Sequence, residues 1–388
     1  MSDWKEDILQ NVAKIQQGYA FKSEDFNNTT GIPVIKIKNI ASGVVDISET
    51  QYYSKDNSGL QKYLVKKGDI LIAMTGSHLD QPSSVVGRVS KYKDEQVSLL
   101  NQRTAKFEPL NEVINSNFLY YSLILDETLL ILAGNASGSA NQANISSTQI
   151  YNLPILLPPL LEQESIAEVL SSLDDKIDLL RRNNKTLEQL AETLFRQWFV
   201  EEIDGILDGK LGDIIELYDN KRVPLSSTQR DKMKTGELFP YYGAATIMDY
   251  INSYIFDDDY LLLGEDGTVQ DDDGFPILQR AIGKCWINNH THVIKAKKPY
   301  SNNYLEILLK RTNIAHLVTG AVQPKINQGN LKELIIPIPT SKKVVLFSSI
   351  VDPLFNKKHQ NIFQIAKLEV VRDTLLPKLM SGAVRVTN

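Results

Sequence analysis

The chain has 388 residues, 42% of them hydrophobic, with 42 basic against 47 acidic side chains and a net charge of −5. That length supports two or three domains with cores of their own, and the mild acidity argues against a protein that coats nucleic acid without regard to sequence. A single cysteine, Cys285, excludes disulfides within the chain and a cysteine-built zinc site, and points to a reducing, cytoplasmic setting.

The N-terminus, MSDWKEDILQNV, has no apolar signal core. The longest apolar run, LPILLPPLL at 153–161, is too short and too proline-broken to span a membrane. Short alternating runs follow, PVIKIKNI (33–40) and GDILIAMTG (68–76), which read as strands, then a helix over 116–133. Segment 138–158, GSANQANISSTQIYNLPILLP, leads to a long proline-free and glycine-free helix beginning near Leu161, with Pro158 and Pro159 at its start. The second half runs through YLLLGEDG (260–267), HVIKA (292–296), a helix over 301–317 and TGAVQPKINQGNLKELIIPIP (319–339). A second long helix begins near Ser341, kinked or delayed at Pro353 and stopped at Gly382.

The two halves echo each other. Shifting 138–158 by 181 positions places Ala140 on Ala321, Gln142 on Gln323, Ile145 on Ile326, Ile150 on Leu331, Leu153 on Leu334 and Ile155 on Ile336. The echo is looser between the helices: FPYYGAAT at 239 stands where PVIKIKNI stands at 33, DDYLLLGEDGT (258–268) resembles KGDILIAMTGS (67–77), and NNHTHVIKA (288–296) resembles NQRTAKFEP (101–109). The order is globule, helix, globule, helix.

Both long helices carry a heptad seam. In the first it is Ile166, Leu170, Leu173, Ile177, Leu180, Asn184, Leu187, Ala191, Leu194 and Trp198; in the second, Phe347, Val351, Leu354, Lys358, Asn361, Ile365, Leu368, Arg372, Leu375 and Leu379. Each seam has one asparagine, Asn184 and Asn361, at a position that favours apolar side chains, which is a register device when the two face each other. An antiparallel pairing on those residues sets Ile166 against Leu379 and Trp198 against Phe347, and obliges Arg372 and Lys358 to snorkel outward past Leu173 and Leu187. Segment 151–200 is net −3 and 341–388 net +5, which favours pairing.

GYAFKSEDF (18–26), GIPVIKIKNI (31–40), NLPILLPPLLEQESIAEVLSSLDDKI (152–177), LFRQWF (194–199), LGDIIEL (211–217), FPYYGA (239–244), YLLLGEDG (260–267), NNHTHV (288–293), GAVQPKINQGNLKELIIPIP (320–339) and RDTLLPKLMSG (372–382) together resemble the specificity subunits of Type I restriction–modification systems. The resemblance spans nearly the whole chain. It implies an α+β fold: two mixed α/β target recognition globules separated by two long antiparallel helices that form a coiled coil, with a pseudo-two-fold repeat. The boundaries expected are 1–159 and 203–340 for the target recognition domains, 160–202 and 341–382 for the central and distal spacer helices, and 383–388 for a tail. It further implies that each globule reads one half of a split, asymmetric site in double-stranded DNA. The helices would set the gap and dock two modification (methyltransferase) subunits, joined by restriction/motor subunits in the full complex. S-adenosylmethionine, ATP and magnesium are expected on those partners and no cofactor on this chain. A helix of about 38 residues, roughly 57 Å long, suits such a spacer.

No catalytic motif accompanies this layout: the chain has no phosphate-binding loop, no DNPP and no HExxH. The chain therefore reads as a non-catalytic subunit. The alternatives are a coiled-coil scaffold without DNA readout, and a stand-alone nuclease built on the carboxylates of GEDG (264–267) and DDDG (271–274). No metal site is expected; His290 and His292, alternating across a strand, would point to one face but lack further ligands.

Several residues are candidates for DNA contact. Lys36 and Lys38 alternate along a predicted strand face and form a positive stripe for phosphates. Thr75, Ser77 and His78, with Gly76, make a small polar loop tip. Asn101, Gln102 and Arg103 cluster the three side chains that read adenine and guanine bidentately. In the second globule the candidates are Lys221, Arg222, Tyr242, Glu265 as an acceptor from cytosine, and Asn289 and His290 in the place of Asn101 and Gln102. Gln323, Lys325, Asn327 and Gln328 precede the second helix and suit either phosphate contact or capping.

Overall fold

The computed structural model describes residues 4–41, 43–78, 85–139, 142–320 and 324–386. It divides into two compact units, Met1–Leu179 with Ile365–Asn388, and Leu180–Gln364. Among the described residues no helix is long and apolar enough to cross a membrane.

The first unit is built on an antiparallel sheet of four strands in the order Val89–Lys91, Ile70–Ala73, Thr104–Pro109, Ala13–Gln17. The central strand reads ILIA and is buried at all four positions, so it shows no alternation. A five-stranded sheet beside it pairs Ile32–Ile35 in parallel with Ser98–Leu100, Leu99 opposite Val34. Ile70, Ile72 and Phe107 pack with Phe118 and Leu119 in the main core, which also takes in Ile166 and Leu170 of the first long helix and Leu379 and Met380 of the second.

The second unit repeats the plan. Ile215–Leu217, Thr291–Ala296, Phe256–Gly264 and Leu278–Ile287 lie in that order and are joined by Phe239–Tyr242 and Ile247–Ile251. The first four match, strand for strand, Ala13–Gln17, Thr104–Pro109, Ile70–Ala73 and Val89–Lys91. Phe239–Tyr242 also pairs in parallel, Tyr241 opposite Trp286, as Val34 does with Leu99. The loose echo in the sequence is therefore a shared strand order.

The stricter repeat has a packing cause. Ile145, Ile150, Leu153 and Ile155 are all buried, and so are Ile326, Leu331, Leu334 and Ile336. Ser146 caps the short helix Ser147–Tyr151 by accepting from Gln149 N, and Asn327 caps Gln328–Glu333 by accepting from Asn330 N. The chain then pairs antiparallel with the start of its own unit, Pro154–Leu157 with Lys5–Ile8 and Ile335–Pro339 with Ile206–Lys210.

The long helices span Leu160–Arg196, continued by a π turn at Gln197–Glu201, and Ser341–Met380. They run antiparallel in the expected register. In the first unit Arg372 Nη1 reaches Asp174 Oδ1 at 2.9 Å. In the second, Asn361 donates to Asn184 Oδ1 at 2.8 Å and to Asn183 Oδ1 at 2.9 Å, Lys358 pairs with Glu188 at 3.1 Å, and the Trp198 and Phe347 rings lie 5.9 Å apart. Arg372 and Lys358 thus use their apolar stems in the seam and find carboxylates beside it.

Local structure departs from expectation at four places. The run after Ile35 turns into a 3₁₀ helix, Ile37–Asn39, because Asn39 folds back to accept from Lys36 N, so Lys36 and Lys38 do not share a strand face. The helix predicted over 116–133 is two, Ser116–Leu123 and Asp126–Gly134. That predicted over 301–317 ends at Lys310 and resumes as the 3₁₀ turn Ala315–Leu317. The second long helix starts at Ser341 without delay and passes through Pro353. One backbone bond is forgone there, while Val351 and Phe355 on either side are held in the core.

Candidate nucleic-acid interface

In each unit a tight turn links two strands and is held largely by backbone bonds, with Thr104 Oγ1 donating to Asn101 O in the first and Asn288 Oδ1 accepting from His290 N in the second. In the first unit Asn101 N donates to Ile35 O (3.0 Å), Gln102 N to Tyr19 O (2.8 Å), Met74 N to Arg103 O (2.9 Å) and Ile145 N to Met74 O (3.0 Å). Arg103 takes a left-handed conformation, φ 66°. Gly18 makes room for this turn, since a Cβ there would lie 2.0 Å from Asn101 O. With the backbone tied down, the side chains of Gln102 and Arg103 stand exposed.

The second unit repeats three of these bonds: Asn288 N to Tyr242 O (3.1 Å), Glu265 N to His290 O (2.9 Å) and Ile326 N to Glu265 O (2.9 Å). Its exposed pair is Asn289 and His290. The correspondence is shifted by one from the expectation: Asn288, not Asn289, occupies the place of Asn101, so Asn289 and His290 answer to Gln102 and Arg103. His290 Nδ1 lies 2.8 Å from Asp266 Oδ1.

The remaining candidates fall in different environments. Lys38 is exposed, but Lys36 donates to Gln51 Oε1 at 2.5 Å and sits 3.9 Å from the Phe26 ring centre, and burial pulls its ammonium below the ordinary pKa. Thr75 and Gly76 are not a loop tip; they pair with Asn144 and Ala143, and Thr75 Oγ1 donates to Asn144 Oδ1 at 2.7 Å. Ser77 is buried against Val85, and His78 is half-buried. Tyr242 is core, packed with Phe256 and Leu262, rather than an exposed aromatic. Lys221 is exposed and lines a cleft of about 480 Å³ with Lys297, Lys332 and Asn220. Lys325 is half-exposed and 3.4 Å from Glu265. Asn327 is spent as a cap, and Gln323 lies outside the described residues.

Arg222 and Glu265 are locked to each other. Arg222 Nη1 donates to Glu265 Oε2 and to Thr291 O, both at 2.7 Å, with the guanidinium almost wholly buried. This ion pair takes the Glu265 carboxylate out of reach as a free acceptor. Beneath it lies a feature that no motif announced. His292 is fully buried, with Nδ1 2.6 Å from Asp219 Oδ2 and Nε2 2.8 Å from Ile326 O, whereas His290 is exposed. The two histidines therefore do not share a face, because His290 belongs to the turn and only His292 to the strand. Asp219 also accepts from Val293 N and from Gln328 Nε2. Burial pushes the Asp219 carboxyl up, but His292 and the other donors outweigh it, and its pKa lies below the usual value. Asp219, Glu265 and His292 have ligand-type atoms within 4.8 Å of one another. Both His292 nitrogens are engaged, however, and the Arg222 guanidinium already lies beside the Asp219 and Glu265 carboxylates.

The acidic loop 271–274 is turn chemistry: Asp271 Oδ1 accepts from Asp273 N and Phe275 N.

A family model described as Type I restriction modification DNA specificity domain matches residues 1–189 and 205–367. The chain is 26% identical over 421 residues to the Type I restriction enzyme MjaIX specificity subunit of Methanocaldococcus jannaschii, covering 99% of this chain and 94% of that protein. It is 27% identical over 324 residues to the Type I restriction enzyme EcoBI specificity subunit of Escherichia coli, covering 82% and 61%. Its fold is similar to the crystal structure of a Type I restriction–modification S subunit from M. genitalium, with a TM-score of 0.65 at 18% identity, over 97% of this chain and 96% of that one.

Proposed function

The chain belongs to the Type I restriction–modification DNA specificity family, and from that premise we propose how it reads DNA: each unit reads one half of a split site through its exposed turn, Gln102 and Arg103 in the first, Asn289 and His290 in the second. The observation that carries this is the repetition of one backbone frame with different side chains displayed on it. Arginine, glutamine and asparagine can each bridge two acceptor or donor atoms on a purine edge, which is how a short turn discriminates bases. Lys38, Lys221 and Lys325 are suited to phosphates, which fix register without carrying sequence.

The chain contributes recognition and no catalysis of its own. S-adenosylmethionine would be held by modification subunits, and ATP and magnesium by the motor subunits. Two modification subunits would dock along the long helices, whose outer faces expose Leu161, Leu179, Leu346, Phe363 and Val370.

The test is to co-express the chain with its cognate modification subunit and map methylated adenines across the host genome. The expected result is a motif of two short specific halves around a fixed unspecified gap. A continuous palindrome, or a soluble complex that methylates nothing, would overturn the reading.

A further inference from the structure

We propose that His292 is the positioning residue of the second reading turn, acting as a buried imidazolium that clamps the segment 324–328 onto the turn and the loop behind it. The proposal rests on the reading that the second unit contacts one half of the target. Its basis is the partners of the ring. Ile326 O can only accept, and Nε2 faces it at 2.8 Å. Nδ1 faces Asp219 Oδ2 at 2.6 Å. That carboxylate is an acceptor on both oxygens, from Val293 N on one and Gln328 Nε2 on the other. Both ring nitrogens therefore donate, and a ring with two N–H groups carries a positive charge.

The bonds join four stretches of chain. Asp219 lies in the turn before Arg222, Gln328 in the short helix after Ile326, and His292 on the strand that follows the reading turn. Ile326 N in turn donates to Glu265 O, and Glu265 N to His290 O. One of the supports of His290, beside Asn288 Oδ1 and the Asp266 carboxylate, is thus a chain of bonds that runs back to the His292 ring. The charged and titratable groups facing this cluster from the surrounding elements are Asp219, Arg222, Glu265, Asp266, His290 and Lys325. Loss of the ring proton removes one cation from among three carboxylates and turns one donor into a lone pair aimed at an oxygen, so the clamp must loosen.

The first unit makes the same backbone bonds without these groups. Met74 stands where Glu265 stands, and Ala105, buried, stands where His292 does. The device belongs to one reader only, so its failure must show in one half of the target only.

The experiment uses the complex with the modification subunit and three variants, H292Q, D219N and H292Q/D219N. Methylation is mapped at sites that differ from the target by one base in either half. H292Q keeps a donor for Ile326 O but sets its amide oxygen against Asp219; the double variant replaces that clash with an amide–amide bond. H292Q is expected to raise methylation of sites altered in one half by about tenfold, in line with the value of one well-placed base contact, and to leave the other half unchanged. The double variant should recover most of the discrimination. Nitrogen-15 spectra of histidine in the full wild-type chain should show both His292 nitrogens protonated. Discrimination unchanged by H292Q, equal relaxation of both halves, a double variant no better than H292Q, or a singly protonated ring would each overturn the proposal. A wild-type motif that is not split would instead overturn the two-reader reading, and the spectra would still report on the ring.

Discussion

Arg103 combines two demands that are usually kept apart. Its backbone, at φ 66°, is left-handed, which disfavours side chains other than glycine, asparagine and aspartate. Its side chain nonetheless stands exposed in the turn proposed to read DNA. The R103G variant separates these roles. Relief of the left-handed strain, about 1 kcal/mol, is offset by the greater freedom of glycine in the unfolded chain, about 0.5–1 kcal/mol. Urea unfolding should therefore show stability unchanged to within about 0.5 kcal/mol. Methylation mapping should show discrimination in the first half-site falling by about tenfold or more, as expected when a bidentate contact worth 1–3 kcal/mol is deleted. A variant that lost stability instead would mean that the side chain, and not the backbone, holds the turn.

Along the helices, the polar residues in the seam set two expectations. Asn361 is fully buried, and its Oδ1 has no partner, while Asn183 and Asn184 lie nearer the surface and can rehydrate. Replacing it with leucine removes an unmade hydrogen bond and adds apolar contact, so N361L should be more stable by about 1 kcal/mol in urea. Glu188 sits between Lys310 and Lys358. Burial pushes its carboxyl up, but the two ammonium groups outweigh that and hold it below its usual 4.5. A carboxyl lowered in the folded state contributes stability above about pH 4.5, lost as pH falls through the folded value. Acid titration should therefore show a stability loss below about pH 4.5 that is shallower in E188Q. Identical acid limbs would show that the cluster contributes nothing to folding.

Across the whole molecule, what was legible followed from periodicity. The heptad seams gave the helices, their direction and their register, because a core position must recur every three or four residues whatever lies elsewhere. The 181-residue repeat was legible because Ile145 and Ile326, with their buried neighbours, occupy equivalent places under the same strand order. The turns proposed to read DNA were singled out through residue type, since asparagine, glutamine and arginine adjacent in sequence suit base edges. Lys36 and Lys38 were misplaced because one local bond, Asn39 Oδ1 to Lys36 N, overrode alternation. The buried pair of His292 and Asp219 left no sign at all. Its members are 73 residues apart, and ion pairs formed by tertiary contact have no period to read.

The turns proposed to read DNA are tied down largely through N–H and C=O groups that every residue other than proline possesses, and Gln102 and Asn289 give none of their side-chain atoms to that scaffold among the bonds described. Positions of this kind are open to diversification. A combinatorial library at 102 and 103, or at 289 and 290, samples new target sequences at little folding cost, with β-branched residues at 103 the main exclusion. Selection for altered methylation from such a library would be a direct route to retargeting one half of the site while the other stays as it is.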